Sequence, residues 1–217
     1  MFLPIISNWF DHLKQNWKTA LEKKNFLQLF IANFVVCFVL YMMVTRFLFY
    51  NRARPGSELN DPVLALFRPL DLSWPIFILL YSSITLFLLH ALSRPQSFIP
   101  MVRAFLYLFV LRAVFIYLVP LSPPAGLILL KDPFIDNVIG FKNQVLNDLF
   151  FSGHIADLSF FIFCCTSKKL RYYLVPATIA VGIMLLIQRA HYTADVLTSP
   201  MAAYFCYSVF VRDNVVD

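Results

Sequence analysis

An all-α integral membrane protein with six spanning helices is the architecture this sequence predicts, on three observations. Of its 217 residues, 60% are apolar and only 14% charged, where a soluble domain is about a quarter charged. The apolar residues fall into long runs, and each bilayer span needs only about 20 of them. Prolines, glycines and basic residues separate the runs, and no stretch has the two-residue alternation of a strand. A water-soluble globule, a disordered chain and a disulfide-rich secreted module are excluded. The net charge of +6 fits basic residues flanking spans, and no basic-aromatic nucleic-acid motif is present. Cys37, Cys164, Cys165 and Cys206 all lie inside apolar runs, without the paired spacing of a zinc site.

Residues 1–25 read as an interfacial amphipathic segment, with Phe2, Leu3, Ile5, Ile6, Trp9, Phe10 and Trp17 interleaved with Lys14, Lys18, Lys23 and Lys24. Aromatic rings at headgroup level and lysines reaching phosphates would hold it there. It lacks the charged start and apolar core of a cleaved signal peptide. The first span is expected over 26–50, and the polar stretch with Arg52, Arg54, Pro55 and Gly56 ends it. A moderately apolar loop leads to the second span, 75–92, and then the third, 102–119. Pro120, Pro123, Pro124 and Gly126 break that helix, and a long connection runs to Phe151. A short fourth span over 152–166, the basic turn Lys168-Lys169-Arg171, a fifth span over 172–187 and a sixth over 192–211 complete the bundle. Residues 212–217 form a tail.

With six spans, both termini share one side with the loops after spans two and four. That side carries ten basic residues and the other seven, with Arg112 inside a span. The bias places the termini in the cytoplasm.

An ionisable residue inside a span is costly and marks function. His191 and Asp195, four apart, share one helical face. A carboxylate there can fix the tautomer of the imidazole and leave its other nitrogen free to attack. His154 begins span four as His191 begins span six, so both lie at one membrane face and can divide nucleophile and acid roles. Gly153 permits close approach of backbone to a ligand, and Ser152 supplies a hydroxyl beside it. Arg189 and Arg112 could hold phosphate oxygens through a planar fork. The combination suits phosphoryl transfer. His90, set among Phe87, Leu88, Leu89 and Leu92, reads as a packed or interfacial histidine, and Tyr192 as an interface anchor. Asp157, three residues past His154, would support that histidine or a polar cavity.

Ser152-Gly153-His154 together with His191-Tyr192-Thr193-Ala194-Asp195 resembles the motifs of the type 2 phosphatidic acid phosphatase (PAP2) superfamily. Within it the likeness is closest to the sphingomyelin synthase-like branch. That branch has an aspartate four residues before the serine, matched by Asp148, and a His-Tyr-Thr-x-Asp-Val run, matched by His191 through Val196. Arg112 and the following apolar stretch to Pro120 resemble its upstream motif more loosely. The resemblance covers about residues 100–211. It implies a six-span catalytic domain over 26–211 that needs no metal or other cofactor. His191 would attack phosphorus, Asp195 would orient it, and His154 would protonate the leaving alkoxide and then activate the acceptor. Ser152, Gly153, Arg112, Arg189 and Asp148 would bind substrate.

Departures accompany the likeness. The Ser-Arg pair of the phosphatase motif is replaced by Met184 and Leu185, and its Lys…Arg-Pro motif is absent. Ile155 stands where synthases usually have threonine. The expected activity is transfer of a phosphocholine- or phosphoethanolamine-type headgroup from a glycerophospholipid to a ceramide or diacylglycerol hydroxyl. Hydrolysis of a lipid phosphate by the same residues is the alternative, with water as acceptor. A non-catalytic lipid-binding membrane protein is a third reading. The active site would face away from the termini, toward a periplasm, lumen or cell exterior.

Overall fold

The structure, a computed structural model, describes residues 3–51, 54–132 and 149–213. These form seven α-helices: α1 (Leu3–Leu21), α2 (Phe26–Asn51), α3 (Ser73–Leu92), α4 (Pro95–Leu118), α5 (Gly153–Cys164), α6 (Lys168–Ile187) and α7 (Thr193–Phe210). A 3-10 turn at Leu64–Leu66 interrupts the loop between α2 and α3. Among the described residues there is no strand. A single parallel bridge joins Ser57 to Leu121, tying the loop after α2 to the loop after α4.

Among the described residues, four helical segments are long and apolar enough to cross a membrane: Phe26–Phe47, Ser73–Leu92, Pro95–Leu118 and Lys168–Ile187. The protein is therefore an integral membrane protein. α5, with 12 residues, rises only about 18 Å, short of a hydrocarbon core about 30 Å thick. α7 is not among the four; its first two turns hold Asp195, Thr198 and Ser199.

α5 occupies the middle, packed against α3, α4, α6 and α7. Its Ile155, Ala156, Leu158, Ser159, Phe160, Phe161 and Cys164 are all buried, as expected of a helix enclosed by protein. Gly182 lets α6 lie close. A Cβ there would stand 3.3 Å from Val196 Cγ1 and 3.6 Å from Ile155 Cδ1. Such small residues matter in lipid, where close packing, not water exclusion, drives association. α2 is the opposite case. It leans on α4, touches α1 slightly, and turns Phe34, Val35, Phe38, Val39 and Met43 outward.

The sequence places the start of the third span at 102, whereas α4 begins at Pro95. Pro95 occupies the first helical turn, where a missing N–H removes no bond and the fixed φ suits the helix. Pro100 follows and is carried inside the helix. α6 begins one turn earlier than expected, at Lys168, because Ser167 caps it by accepting from Leu170 N at 3.4 Å. Trp17 is not a free headgroup anchor. Its Nε1 donates to Leu92 O at 2.8 Å, and its ring packs edge-on against Phe26, Phe30 and Phe98, so α1 is pinned to the α3–α4 turn.

Successive helices alternate in direction. The starts of α3, α5 and α7 and the ends of α2, α4 and α6 therefore meet at one end of the bundle, where the candidate residues lie.

Candidate active site

The end of α6 sets the geometry. Gln188 is fully buried. Its Oε1 accepts from Leu72 N at 3.0 Å, and its Nε2 donates to Ser73 Oγ at 2.9 Å. These bonds lock the end of α6 to the start of α3. Arg189 follows with φ +56°, the left-handed conformation that ends many helices, usually at glycine. The chain reverses there, and His191 enters the bundle two residues later.

His191 is 4% exposed and Asp195 0%. His191 Nδ1 lies 3.4 Å from Asp195 Oδ2, and the same oxygen accepts from Tyr192 N at 2.9 Å. Asp195 thus caps the first turn of α7, satisfying an N–H that has no partner within the helix. It also faces the imidazole. With the proton on Nδ1 donated to Oδ2, the lone pair of Nε2 is left for chemistry.

His154 stands in the first turn of α5. Its ring meets that of His191 edge-on, centroids 6.3 Å apart, and that of Phe77 at 6.0 Å. Ser152 N donates to Asp195 O at 3.3 Å, and Ser199 Oγ donates to Ser152 O at 2.9 Å. These two bonds hold the start of α5 against α7, so the histidines keep their spacing. Among the described residues no side chain caps the N-terminus of α5. Ser152 Oγ, His154 Nδ1 and Asp195 Oδ1 are buried without a hydrogen-bond partner among the described residues. Such atoms need an explanation, since leaving them unpaired costs about 1–3 kcal/mol each.

Arg112, near the end of α4, donates from Nε to Phe151 O at 3.0 Å. A Cβ on Gly153 would lie 3.0 Å from Arg112 Cζ and 3.1 Å from Nε, so a side chain there would push the guanidinium back from the start of α5. Two positive features therefore converge here: an arginine and the open N-terminus of α5. Together they suit an anion.

Arg189 is placed differently from the sequence expectation. Its Nη1 donates to Ala125 O at 2.7 Å, and its Nη2 to Leu64 O and Phe67 O at 3.4 Å. Its fork is taken up by loop carbonyls and is not available to phosphate. Tyr192 is also reassigned. It is 1% exposed; its hydroxyl donates to Ser122 O at 3.0 Å and accepts from Leu59 N at 3.2 Å. It anchors loops, not the bilayer surface. Asp148 lies outside the described residues, as do Arg52 and Lys142. Asp157 is partly buried one turn into α5.

Sequence reasoning missed Asp61. Its Oδ2 accepts from Thr193 N at 2.6 Å and its Oδ1 from Thr193 Oγ1 at 3.1 Å, capping α7 from a loop 132 residues away. Burial pushes the Asp61 carboxyl up. The Thr193 N–H and hydroxyl and the Val63 and Leu64 N–H groups outweigh that and hold it below the usual carboxylate range. Ser199 was missed as well, although its spacing of four from Asp195 puts it on the same helical face.

Fold and site together define an integral membrane protein with a buried His-Asp pair opposed by a second histidine at one end of a helical bundle. Residues 147–213, which take in α5, α6, α7 and both histidine motifs, match the family model described as PAP2 superfamily C-terminal. The match covers less than a third of the chain and supports phosphatase- or phosphotransferase-type lipid phosphate chemistry. No curated protein and no solved structure matches the chain.

Proposed function

We propose that the protein is a membrane-embedded lipid phosphotransferase of the sphingomyelin synthase-like kind, working through a phosphohistidine on His191. The observation that carries this reading is the opposition of His154 and His191, ring centroids 6.3 Å apart, with Asp195 on the far nitrogen of His191. One phosphoryl group can reach both rings.

In the first step His191 Nε2 attacks the phosphorus of a phospholipid. The N–P bond forms as the bond from phosphorus to the glycerolipid oxygen breaks, and His154 gives that oxygen its proton. In the second step a lipid hydroxyl loses its proton to His154 and attacks phosphorus, and the P–N bond breaks to regenerate His191. Asp195 keeps the proton of His191 on Nδ1 and balances the charge that develops on the ring. Arg112 and the N–H groups opening α5 hold the phosphate oxygens, where charge stabilisation supplies most of the catalysis. The proposed topology has α5 and α7 completing six spans, cytoplasmic termini and a site on the opposite face.

The test uses purified protein in liposomes containing phosphatidylcholine, phosphatidylethanolamine, phosphatidic acid and fluorescent ceramide. Lipid products are followed by mass spectrometry, and phosphate release is read in parallel. A ceramide phospho-headgroup product, absent with His191→Ala, is expected. Phosphate release without transfer would replace the synthase with a phosphatase. Retained turnover in His191→Ala would remove the phosphohistidine.

A further inference from the structure

The end of the bundle opposite His154 and His191 carries a basic side chain inside a span. Arg103 stands eight residues past Pro95 on α4, about 12 Å from the helix start. Asn33 stands seven past Phe26 on α2, at a matching depth, because α2 and α4 both start at this end. Arg103 Nε donates to Asn33 Oδ1 at 2.6 Å, and the Asn33 amide nitrogen donates in turn to Leu29 O. An amide is neutral, so this bond orients the guanidinium without balancing its charge. The other two guanidinium nitrogens meet no partner among the described residues. A cation at such a depth is costly unless it has a task.

Helical side chains tilt toward the helix N-terminus, which aims Arg103 back toward the α1–α2 turn. A cavity of about 420 Å³ opens there among that turn, α2, α4 and the end of α7. Its wall includes Lys23, Phe26, Leu29, Ile99, Arg103 and Phe210. Lys23 and Arg103 are its only charged side chains, and apart from Gln96 the rest are hydrocarbon. Gln96 belongs also to a second cavity, of about 340 Å³, between α1 and the start of α4. That one is polar, with Asn16, Thr19, Ser93, Arg94 and Ser97 in its wall. One Arg94 nitrogen, Nη1, is buried without a partner among the described residues. Neither wall holds an acidic side chain, and Asp213, three residues past Phe210, pairs with Arg212 at 3.2 Å.

Basic and polar groups beside an apolar wall match a phospholipid at the level where headgroup meets chains. Both volumes fall in the range of small-molecule sites, about 300–1,000 Å³. A phosphate between Lys23 and Arg103 would balance both charges, and the guanidinium fork suits its oxygens. The remainder of the headgroup would enter the polar cavity, and the chains would follow Leu29, Ile99 and Val209 along three helices. A free phosphate would leave that apolar wall unused. The sign of the charge selects further. A choline or ethanolamine headgroup would bring its own cation to a wall that already holds Arg94, whereas a headgroup without a cation would not.

We infer that these adjoining cavities form a second lipid site, separate from the histidines, which binds the phosphate of an anionic phospholipid between Lys23 and Arg103. The site belongs to the leaflet on the side of α1 and the α3–α4 turn, and a protein without catalytic activity would bind the lipid equally. The bound lipid joins α2, which otherwise leans mainly on α4, to α4 and α7 together.

The experiment places full-length protein in phosphatidylcholine liposomes without ceramide or diacylglycerol. A trace of photoactivatable phosphatidylglycerol, or of photoactivatable phosphatidylcholine with the same chains, is added, and adducts are mapped by peptide mass spectrometry. Labelling by the anionic probe relative to the zwitterionic one should be enriched at residues 26–29 and 99–103. Lys23→Gln and Arg103→Gln should each lower that enrichment about fivefold, and together by more than tenfold, as expected of basic residues at a membrane surface. Lys23 is exposed and its side chain makes no bond among the described residues, so its replacement leaves folding intact. Arg103→Lys, which keeps the charge, should retain most of the enrichment. Unlabelled phosphatidylglycerol should compete and glycerol 3-phosphate should not. Equal labelling by the two probes, or enrichment unchanged in the double variant, overturns the site. Equal loss in Arg103→Lys and Arg103→Gln overturns recognition through charge. Competition by glycerol 3-phosphate as strong as by phosphatidylglycerol overturns the lipid in favour of a free phosphate.

Discussion

The two ends of the bundle each hold a histidine, an arginine and the terminus of α5, yet they use them differently. At the end carrying the α3–α4 turn, His90 Nε2 accepts from Thr166 N at 3.3 Å and meets Thr166 Oγ1 at 3.2 Å. Arg171 donates to Cys165 O. Arg171 thereby completes the C-terminus of α5, where carbonyls and the negative end of the dipole need partners, and His90 takes up an N–H just beyond it. At the opposite end, Ser152 Oγ, His154 Nδ1 and Asp195 Oδ1 are buried and unpaired among the described residues. One Arg94 nitrogen is left over at the first end, against four atoms at the other, three of them around the two histidines and the fourth Arg189 Nε. A histidine bonded to the chain just past a helix end supports the fold, whereas one held in place with a buried nitrogen to spare is built to meet something else.

The sharpest way to break this comparison is to remove one histidine from each end. His191→Ala should lower turnover by about 10⁵-fold or more, as loss of a nucleophile does, with the helical circular dichroism signal retained. His90→Ala should leave turnover within about threefold and lower stability by about 1 kcal/mol, read by thermal unfolding in detergent. Equal losses from the two would mean that the two ends do not differ in kind.

Next in size is Asp195→Asn, expected to cost about 10²–10⁴-fold in kcat by weakening control of the His191 tautomer. Some loss of thermal stability should accompany it, because the cap on Tyr192 N weakens too. An unchanged kcat would make Asp195 a cap and nothing more. Arg112→Lys keeps the charge but loses the planar fork. It should lower kcat/KM by about 10²-fold, and full activity would move the phosphate site elsewhere.

The smallest effect concerns Asp61. Its carboxyl is held below the usual range, so the folded state binds fewer protons than the unfolded chain in that interval. Its contribution to stability is present above the ordinary carboxylate value of about 3.9 and is lost as pH falls through the folded value. Asp61→Asn should therefore narrow the difference in Tm between about pH 6 and about pH 3. An unchanged difference would mean that the cap on Thr193 does not depend on charge.

What the sequence made legible was local. Apolar runs located the helices within a few residues, and His191 with Asp195 could be read because four residues bring side chains together on any helix. Pro95 and Pro100 hid the start of α4, since proline reads as a breaker unless its place in the first turns is known. Arg189 looked like a phosphate ligand because it stands two residues from His191. The left-handed turn at that position sends its fork into the loops instead. Asp61 could not be read at all, because its partner Thr193 lies 132 residues away, and nothing in Asn60-Asp61-Pro62 points across that distance.

The double engagement of Asp195 changes how relatives of this chain should be compared. One oxygen serves both the start of α7 and the orientation of His191, so a descendant that had abandoned the reaction would still be under pressure to keep the aspartate. Its presence in another sequence therefore testifies to a folded seventh helix, not to an enzyme. His154 has no such second duty at its buried Nδ1, which meets no partner among the described residues. It is the residue that drift would erase first once catalysis ceased, and so the better witness of a living active site.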